Sequence, residues 1–248
     1  LNSSQNIAEQ TFAQDNSGFH TLEYLIFLNG NPRDISSISS RQKEYIYYVT
    51  KKLLDDTVRL WAEWHGEKAI SDQRDAELIE NDEITIAGGE DGFAELLRNP
   101  NMYQKYKTQN QVLEEIIDNG LCNIANEVGT QKIGNPYREQ DVYAVESWYS
   151  FNSLDDYENN IISIENSYLG GPAATRKSET SMSAYVASKN SDLDAEITKA
   201  ISDARKAIRD IPAPFRDQVT KGKVATIDTA MDKLAELNKS LKKIKSVL

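Results

Sequence analysis

With Cys122 as the only cysteine in 248 residues, the chain forms no disulfide within itself. A structural zinc site built on two or more thiolates is excluded as well. There are only two histidines, His20 and His65, too few for a zinc centre with three histidine ligands. Twelve glycines and six prolines are few for an all-β chain of tight turns. No apolar run approaches the ~20 residues of a membrane span, and mean hydropathy is −0.59. The sequence has no H-E-x-x-H, no G-x-S-x-G, no P-loop and no G-x-G-x-x-G after a strand. Basic residues are outnumbered, 28 against 39, for a net charge of −11. A chain of this sign repels phosphate backbones, which argues against nucleic-acid binding as its main task.

The charge is unevenly spread. From Lys199 onward there are 12 Lys and Arg against 6 Asp and Glu, and before it 16 against 33. The basic tail reads as a solvated helix face. The competing reading is a membrane-surface or partner-binding helix, in the latter case with Lys242, Lys243 and Lys245 at its contact. One cysteine suits the cytosol and equally a bacterial envelope protein without bridges. The chain opens on Leu1 rather than Met, which reads as a removed leader or a fragment, so the lack of a signal peptide does not argue for the cytoplasm.

What is present is helical periodicity. Leu113, Ile117, Leu121, Ile124 and Val128 fall on one helix stripe. So do Leu154, Tyr157, Ile161, Ile164 and Tyr168, and again Leu193, Ile197, Ile201, Ala204, Ile208 and Ile211. Val224, Ile227, Met231 and Leu234 begin another, and a wider apolar face predicts a helix from about Ser40 to His65. Ser39, Ser153 and Ser191 stand where helix caps are expected, each followed three residues on by Gln or Asp. Gly170-Gly171-Pro172, Pro212 and Pro214 read as stops, and Gly30-Asn31-Pro32 as the end of the first helix. Gly120, inside a helix, reads as a close helix contact. Loops are expected at about 29–39, 66–91, 132–144 and 169–181, with Glu83–Ala87 the best strand candidate but read as loop. The fold class is therefore all-α: seven or eight helices in two packed four-helix-type bundles, residues 1–133 and 134–248.

Two segments carry chemistry. His20 and Glu23 in Gly18-Phe-His-Thr-Leu-Glu23 are three apart and share a helix face. The surrounding Leu22, Leu25, Ile26, Phe27 and Leu28 predict a deeply buried helix, where an imidazole and a carboxylate must be paired, metal-bound or functional. In Ala144–Asn152, the polar Glu146, Ser147, Ser150 and Asn152 alternate with Val145, Trp148, Tyr149 and Phe151, as in a pocket wall or a capped helix end. His65 reads as a helix C-terminal residue favoured by the dipole. Tyr45, Tyr47 and Tyr48 read as helix packing, and Cys122 as a small core residue.

Gly18-Phe-His20-Thr-Leu-Glu23 matches the G-x-H-x-x-E signature of the imelysin-like proteins, also called the insulin-cleaving peptidase family. Asp141–Ser150 and Asn159–Gly171 are similar to that family's second-half segment, and the resemblance runs from about Phe12 to the C-terminus. It implies two helical bundles related as a distant duplication, with the His/Glu site near their interface. It also implies export to the periplasm or cell envelope of a bacterium, often as a lipoprotein with a lipid anchor on the precursor, and a link to iron uptake. Only 17 residues precede Gly18, where family members usually have long helices, so the first bundle is expected to be incomplete at its N-terminus.

The expected function is a non-catalytic protein binding a metal or small ligand, with an envelope protein as a further partner. His20, Glu23 and Glu146 are the candidate metal ligands, and this mixed nitrogen and oxygen set suits iron or zinc. The alternative is a metallopeptidase at the same site, with His20, Glu23, Glu146, Ser147 and Ser150 as catalytic candidates. That reading is weaker in its arithmetic, because using three residues as zinc ligands leaves the general base unassigned.

Overall fold

The computed structural model describes Ile7 and residues 16–81, 89–100 and 106–248. The all-α expectation holds: among these residues the only strands are a two-residue pair. The chain divides into two compact units, Leu1–Val112 and Leu113–Leu248. The division thus falls after Val112 rather than after Ile133. The reason is local: the segment 132–144, expected to be a loop, is helical through Glu139 and packs with the second unit's core. The strand candidate Glu83–Ala87 lies outside the described residues.

In the first unit, α1 spans Phe19–Ile26 and is followed by β1 (Phe27–Leu28) and β2 (Asn31–Pro32), an antiparallel pair with Phe27 opposite Pro32. The expected helix stops early because Asn29 and Gly30 both take positive φ, 50° and 77°. Asn-Gly is the preferred two-residue hairpin turn for that geometry, and here it outcompetes helix periodicity. α2 runs Ser40–His65, as its apolar face predicts. Its capping box is complete: the Gln42 N–H donates to Ser39 Oγ at 3.2 Å and the Ser39 N–H to Gln42 Oε1 at 2.9 Å. α3 (Gln73–Asn81) and α4 (Gly92–Arg98) complete the described helices of this unit, and α3 falls in a stretch expected to be loop. Gly66 and Gly92 face each other so closely that a Cβ on Gly66 would lie 2.2 Å from the Glu90 carbonyl oxygen.

The second unit begins in α5 (Gln109–Glu115). The helix continues through π turns Ile116–Cys122, α6 (Asn123–Glu127), π turns Val128–Ile133 and α7 (Gly134–Glu139). With α8 (Ser153–Leu169), α10 (Ser191–Arg209) and α12 (Ala225–Lys242) it encloses one apolar core. α9 (Met182–Lys189) packs on α8 and α10, and α11 (Arg216–Val219) lies near α7. The core holds the predicted stripes: Ile117, Leu121, Tyr157, Ile161, Ile164, Tyr168, Ile197, Ile208, Ile227 and Leu234 are all buried. Cys122 is buried too, and burial raises its thiol pKa, as expected of a core residue.

Several local expectations are corrected. Asn152 and Asn190, not Ser153 and Ser191, are the N-caps of α8 and α10, and Asn190 Oδ1 accepts from the Leu193 N–H at 3.0 Å. At α10 an Asn one residue earlier satisfies the orphan donors, whereas Asn152 makes no such bond at α8 and turns its amide to Asp156. Gly120 does not mark a close contact, since a Cβ there would meet open space. Gly170 does end α8, with φ 93° and a Cβ position only 2.5 Å from the Lys177 carbonyl.

Candidate functional site

His20 sits at the start of α1, where Gly18 occupies the cap position at φ 94°. The Leu22 N–H donates to the Gly18 carbonyl at 3.3 Å, and Thr21 Oγ1 donates to the Ser17 carbonyl at 3.1 Å. Three residues along the turn, Glu23 Oε2 lies 3.0 Å from His20 Nδ1. The pair is therefore formed as the spacing predicts, but its setting differs from the expectation. The His20 side chain is 60% exposed and that of Glu23 only 10%. α1 is too short to be wrapped on all sides, and Phe19, Tyr24 and Ile26 are exposed on it. The result is a graded pair, with a buried carboxylate holding an accessible imidazole. The carboxylate on Nδ1 makes Nε2 the ring nitrogen turned away from Glu23. A carboxylate orienting a histidine in this way is the usual outer support of a metal-binding imidazole.

Glu146, Ser147 and Ser150 lie on one turn segment of the second unit, between the 3-10 turn Val142–Ala144 and α8. Asp141 caps that turn by accepting from the Tyr143 N–H at 2.9 Å. Ser147 and Phe151 take positive φ, 52° and 65°, a left-handed backbone rare for residues with side chains. Their surroundings hold it in place. Ser147 Oγ donates to Asp156 Oδ2, and Asn152 Nδ2 donates to Asp156 Oδ1 at 2.8 Å. The Arg216 guanidinium lies 3.6 Å over the Trp148 ring and 4.8 Å from that of Phe151, and donates to the Trp148 carbonyl at 3.1 Å. Tyr143 and Tyr149 flank Trp148 at ring distances of 5.8 and 5.1 Å.

Glu146 is engaged as well, with Lys132 Nζ 2.9 Å from its Oε2. Below it, Ser153 Oγ donates to the Glu146 carbonyl and Tyr157 OH to the Lys132 carbonyl at 3.1 Å. Burial, with the Glu146 carboxylate adding to it, pushes the Tyr157 phenol well up, so it stays a donor at any working pH. The Ser147 hydroxyl points its hydrogen at a carboxylate, not an imidazole, so its bond positions a strained residue rather than activating a nucleophile. Ser150 is partly buried on the same turn.

The structure thus joins His20 to Glu23 in one unit and aligns Glu146, Ser147 and Ser150 in the other. Sequence reading missed the residues that organise the second segment, Lys132, Asp156 and Arg216. Asp156 was legible as the first-turn acid of α8; Lys132 and Arg216 lie 14 and 68 residues from the groups they serve, beyond any local pattern. Among the described residues, no group of three or more His, Cys, Asp and Glu side chains is arranged to hold a metal ion. His65 is the last residue of α2, and its ring packs tilted against Trp61 with centroids 4.8 Å apart.

The chain is similar to several known proteins. The chain is 27% identical over 232 residues to iron-regulated protein A of Synechococcus elongatus, covering 91% of this chain and 56% of that protein. It therefore spans little more than half the length of this curated relative. A crystal structure described as an iron-regulated protein A precursor from Parabacteroides distasonis superposes with a TM-score of 0.76 at 29% identity, covering 97% of this chain and 68% of that one. An imelysin peptidase from Bacteroides ovatus gives a TM-score of 0.63 at 32% identity, covering 97% of this chain and 57% of that one. The profile of the imelysin peptidases matches residues 2–241, nearly the whole chain, and the chain belongs to the imelysin family.

Proposed function

We propose that this chain is part of a bacterial cell-envelope imelysin-like protein that binds a metal ion or small ligand through His20 and Glu23 in the service of iron uptake. The observation that carries the reading is the graded His20–Glu23 pair, an exposed imidazole oriented by a nearly buried carboxylate at 3.0 Å. A single core ion pair would have no reason to keep the ring accessible. Two of the relatives are named for iron regulation, which supports iron as the cargo. His20 supplies one nitrogen, and Glu23, bonded to Nδ1, orients the ring as its outer-sphere carboxylate. This set suits iron or zinc with positions left for a ligand carried with the ion. Glu146 joins such a set only by giving up Lys132, so it is the weaker candidate. Metal titration of tag-free protein, read by calorimetry and mass spectrometry, tests the proposal. Stoichiometric binding of iron or zinc, lost in both His20→Ala and Glu23→Ala, is expected. Binding that survives both substitutions, or none by wild type, rejects it.

Peptidase action is the second reading, favoured by the neighbour named an imelysin peptidase. It predicts cleavage of a protein substrate that disappears with chelator and with Glu23→Gln. A preparation that cleaves nothing with iron or zinc present removes it.

A further inference from the structure

The sequence contains two Asn-Gly pairs, Asn29-Gly30 and Asn119-Gly120. Such a pair is prone to rearrange unaided, because glycine has no side chain to shield its backbone nitrogen from the preceding amide. The fold treats the two pairs differently. Asn29 and Gly30 form the turn between β1 and β2, at φ 50° and 77°, and Asn29 is exposed. Among the described residues, neither the Asn29 side-chain amide nor the Gly30 N–H makes a hydrogen bond. The Asn29 backbone carbonyl accepts from Asn31 Nδ2 at 3.0 Å. The strands that the turn joins are two residues each, and a hairpin this short opens readily. Opening matters, because the left-handed turn must unwind before the side-chain carbon can meet the glycine nitrogen. Asn119 is exposed too, but Gly120 lies within the π turns Ile116–Cys122, with helix on both sides, and its carbonyl accepts from the Asn123 N–H. Ile117 and Leu121 anchor that helix in the second unit's core, so its backbone is seldom free to rearrange.

We propose that Asn29 is a site of spontaneous modification by deamidation. The Gly30 nitrogen attacks the Asn29 side-chain carbonyl carbon, and the new C–N bond closes a five-membered succinimide. The amide nitrogen leaves as ammonia, taking the proton that the glycine nitrogen gives up. Water then opens the ring at one carbonyl or the other, giving aspartate or isoaspartate. Both products carry a new carboxylate. Isoaspartate also routes the chain through the side chain, one backbone atom longer, and a two-residue turn does not absorb the extra atom. The pairing of Leu28 with Asn31 and Phe27 with Pro32 then slips. That pairing leads into the bonds that close α1. The Arg33 N–H donates to the Ile26 carbonyl at 2.8 Å and Arg33 Nη1 to the Leu25 carbonyl at 3.2 Å. The modification therefore loosens the end of the helix that carries His20 and Glu23, whether or not those residues hold a ligand.

The test is incubation of the whole chain in mildly alkaline buffer at body temperature, followed by peptide mapping. Mass spectrometry reads the exchange of NH for O at each asparagine. In the folded chain Asn29 should convert about tenfold or more faster than Asn119, since the hairpin opens far more often than the core helix. In urea, where only the shared Asn-Gly pair matters, the two rates should converge. The modified fraction, separated by its added negative charge, should exchange the Arg33 N–H faster than unmodified chain, with α10 unchanged. Equal rates at the two asparagines in the folded chain, or folding that slows Asn29 as much as Asn119, overturns the proposal. Unchanged exchange at Arg33 in the modified fraction overturns the loosening of α1.

Discussion

Glu165 on α8 sits between two arginines. Arg176 Nη2 lies 3.0 Å from its Oε1, and Arg205, which also bonds Glu158, holds the other oxygen. Burial alone would raise its pKa, but the two guanidiniums outweigh burial and hold the carboxyl below the usual range. Because the folded value is the lower one, this carboxylate's stabilisation is fully present above the unfolded carboxyl pKa of about 4.3. It is lost as pH falls through the folded value. Glu165→Gln should therefore lower stability near neutrality and flatten the acid limb of a urea-midpoint profile below about pH 4. An unchanged acid limb would refute the assignment. Neither arginine was legible as Glu165's partner, since both lie across helix or loop boundaries. The Glu23–His20 pair, three residues apart on one turn, was fully legible. What the sequence hid there was exposure. Apolar neighbours predicted deep burial, but burial depends on what surrounds α1, and a helix of eight residues cut short by Asn29-Gly30 is not enclosed.

Elements show the same division between local and distant causes. The capping box at Ser39 follows from four adjacent residues, and it fixed the start of α2 correctly. The π turns at Ile116–Cys122 and Val128–Ile133 have no such signature. They interrupt a helix whose apolar stripe is otherwise regular, and they leave carbonyls that the ordinary ladder does not satisfy. Side chains from elsewhere supply the donors. Asn238 Nδ2 reaches the Cys122 carbonyl at 3.1 Å, Arg138 Nη2 the Thr130 carbonyl at 2.8 Å, and Tyr157 OH the Lys132 carbonyl at 3.1 Å. Tyr157 is fully buried, so water cannot replace it. Tyr157→Phe keeps the packing and removes one donor, and it should cost about 1–2 kcal/mol in urea unfolding. A loss below a few tenths would mean that the second π turn satisfies itself. The stretch 132–144 was misjudged because Gly134, Asn135 and Pro136 are turn-forming residues. Pro136 is tolerated because the Lys132 carbonyl, which its missing N–H would have served, accepts from Tyr157 OH instead.

At the scale of the molecule, the two units differ, among the described residues, in how their buried apolar side chains cluster. The second unit has a continuous core from Ile117 to Ile244. In the first, the largest group of mutually packed buried residues among those described is Ala62 with Ile79, flanked by Val58 and Ile70. Local opening free energy follows buried contacts. Hydrogen exchange on the whole chain should therefore protect α10 and α12 longest and release α1, α3 and α4 first, with the two units resolving as separate steps. Equal protection in both would contradict this ranking. Helix class and the second unit's core were readable because they rest on periodic stripes, which are local. Where the units divide was not, since the helix that begins the second unit runs through the polar stretch that reads as a linker.

The placing of the three tryptophans gives the molecule a set of optical gauges. Trp61 rests against His65 at 4.8 Å and Trp64 against Phe93 at 5.8 Å in the first unit, while Trp148 lies under the Arg216 guanidinium in the second. Trp148 brightens or shifts to the red only when the arginine lifts away. One chain, excited at one wavelength, thus reports on the contacts of α2 in one unit and of a left-handed turn in the other.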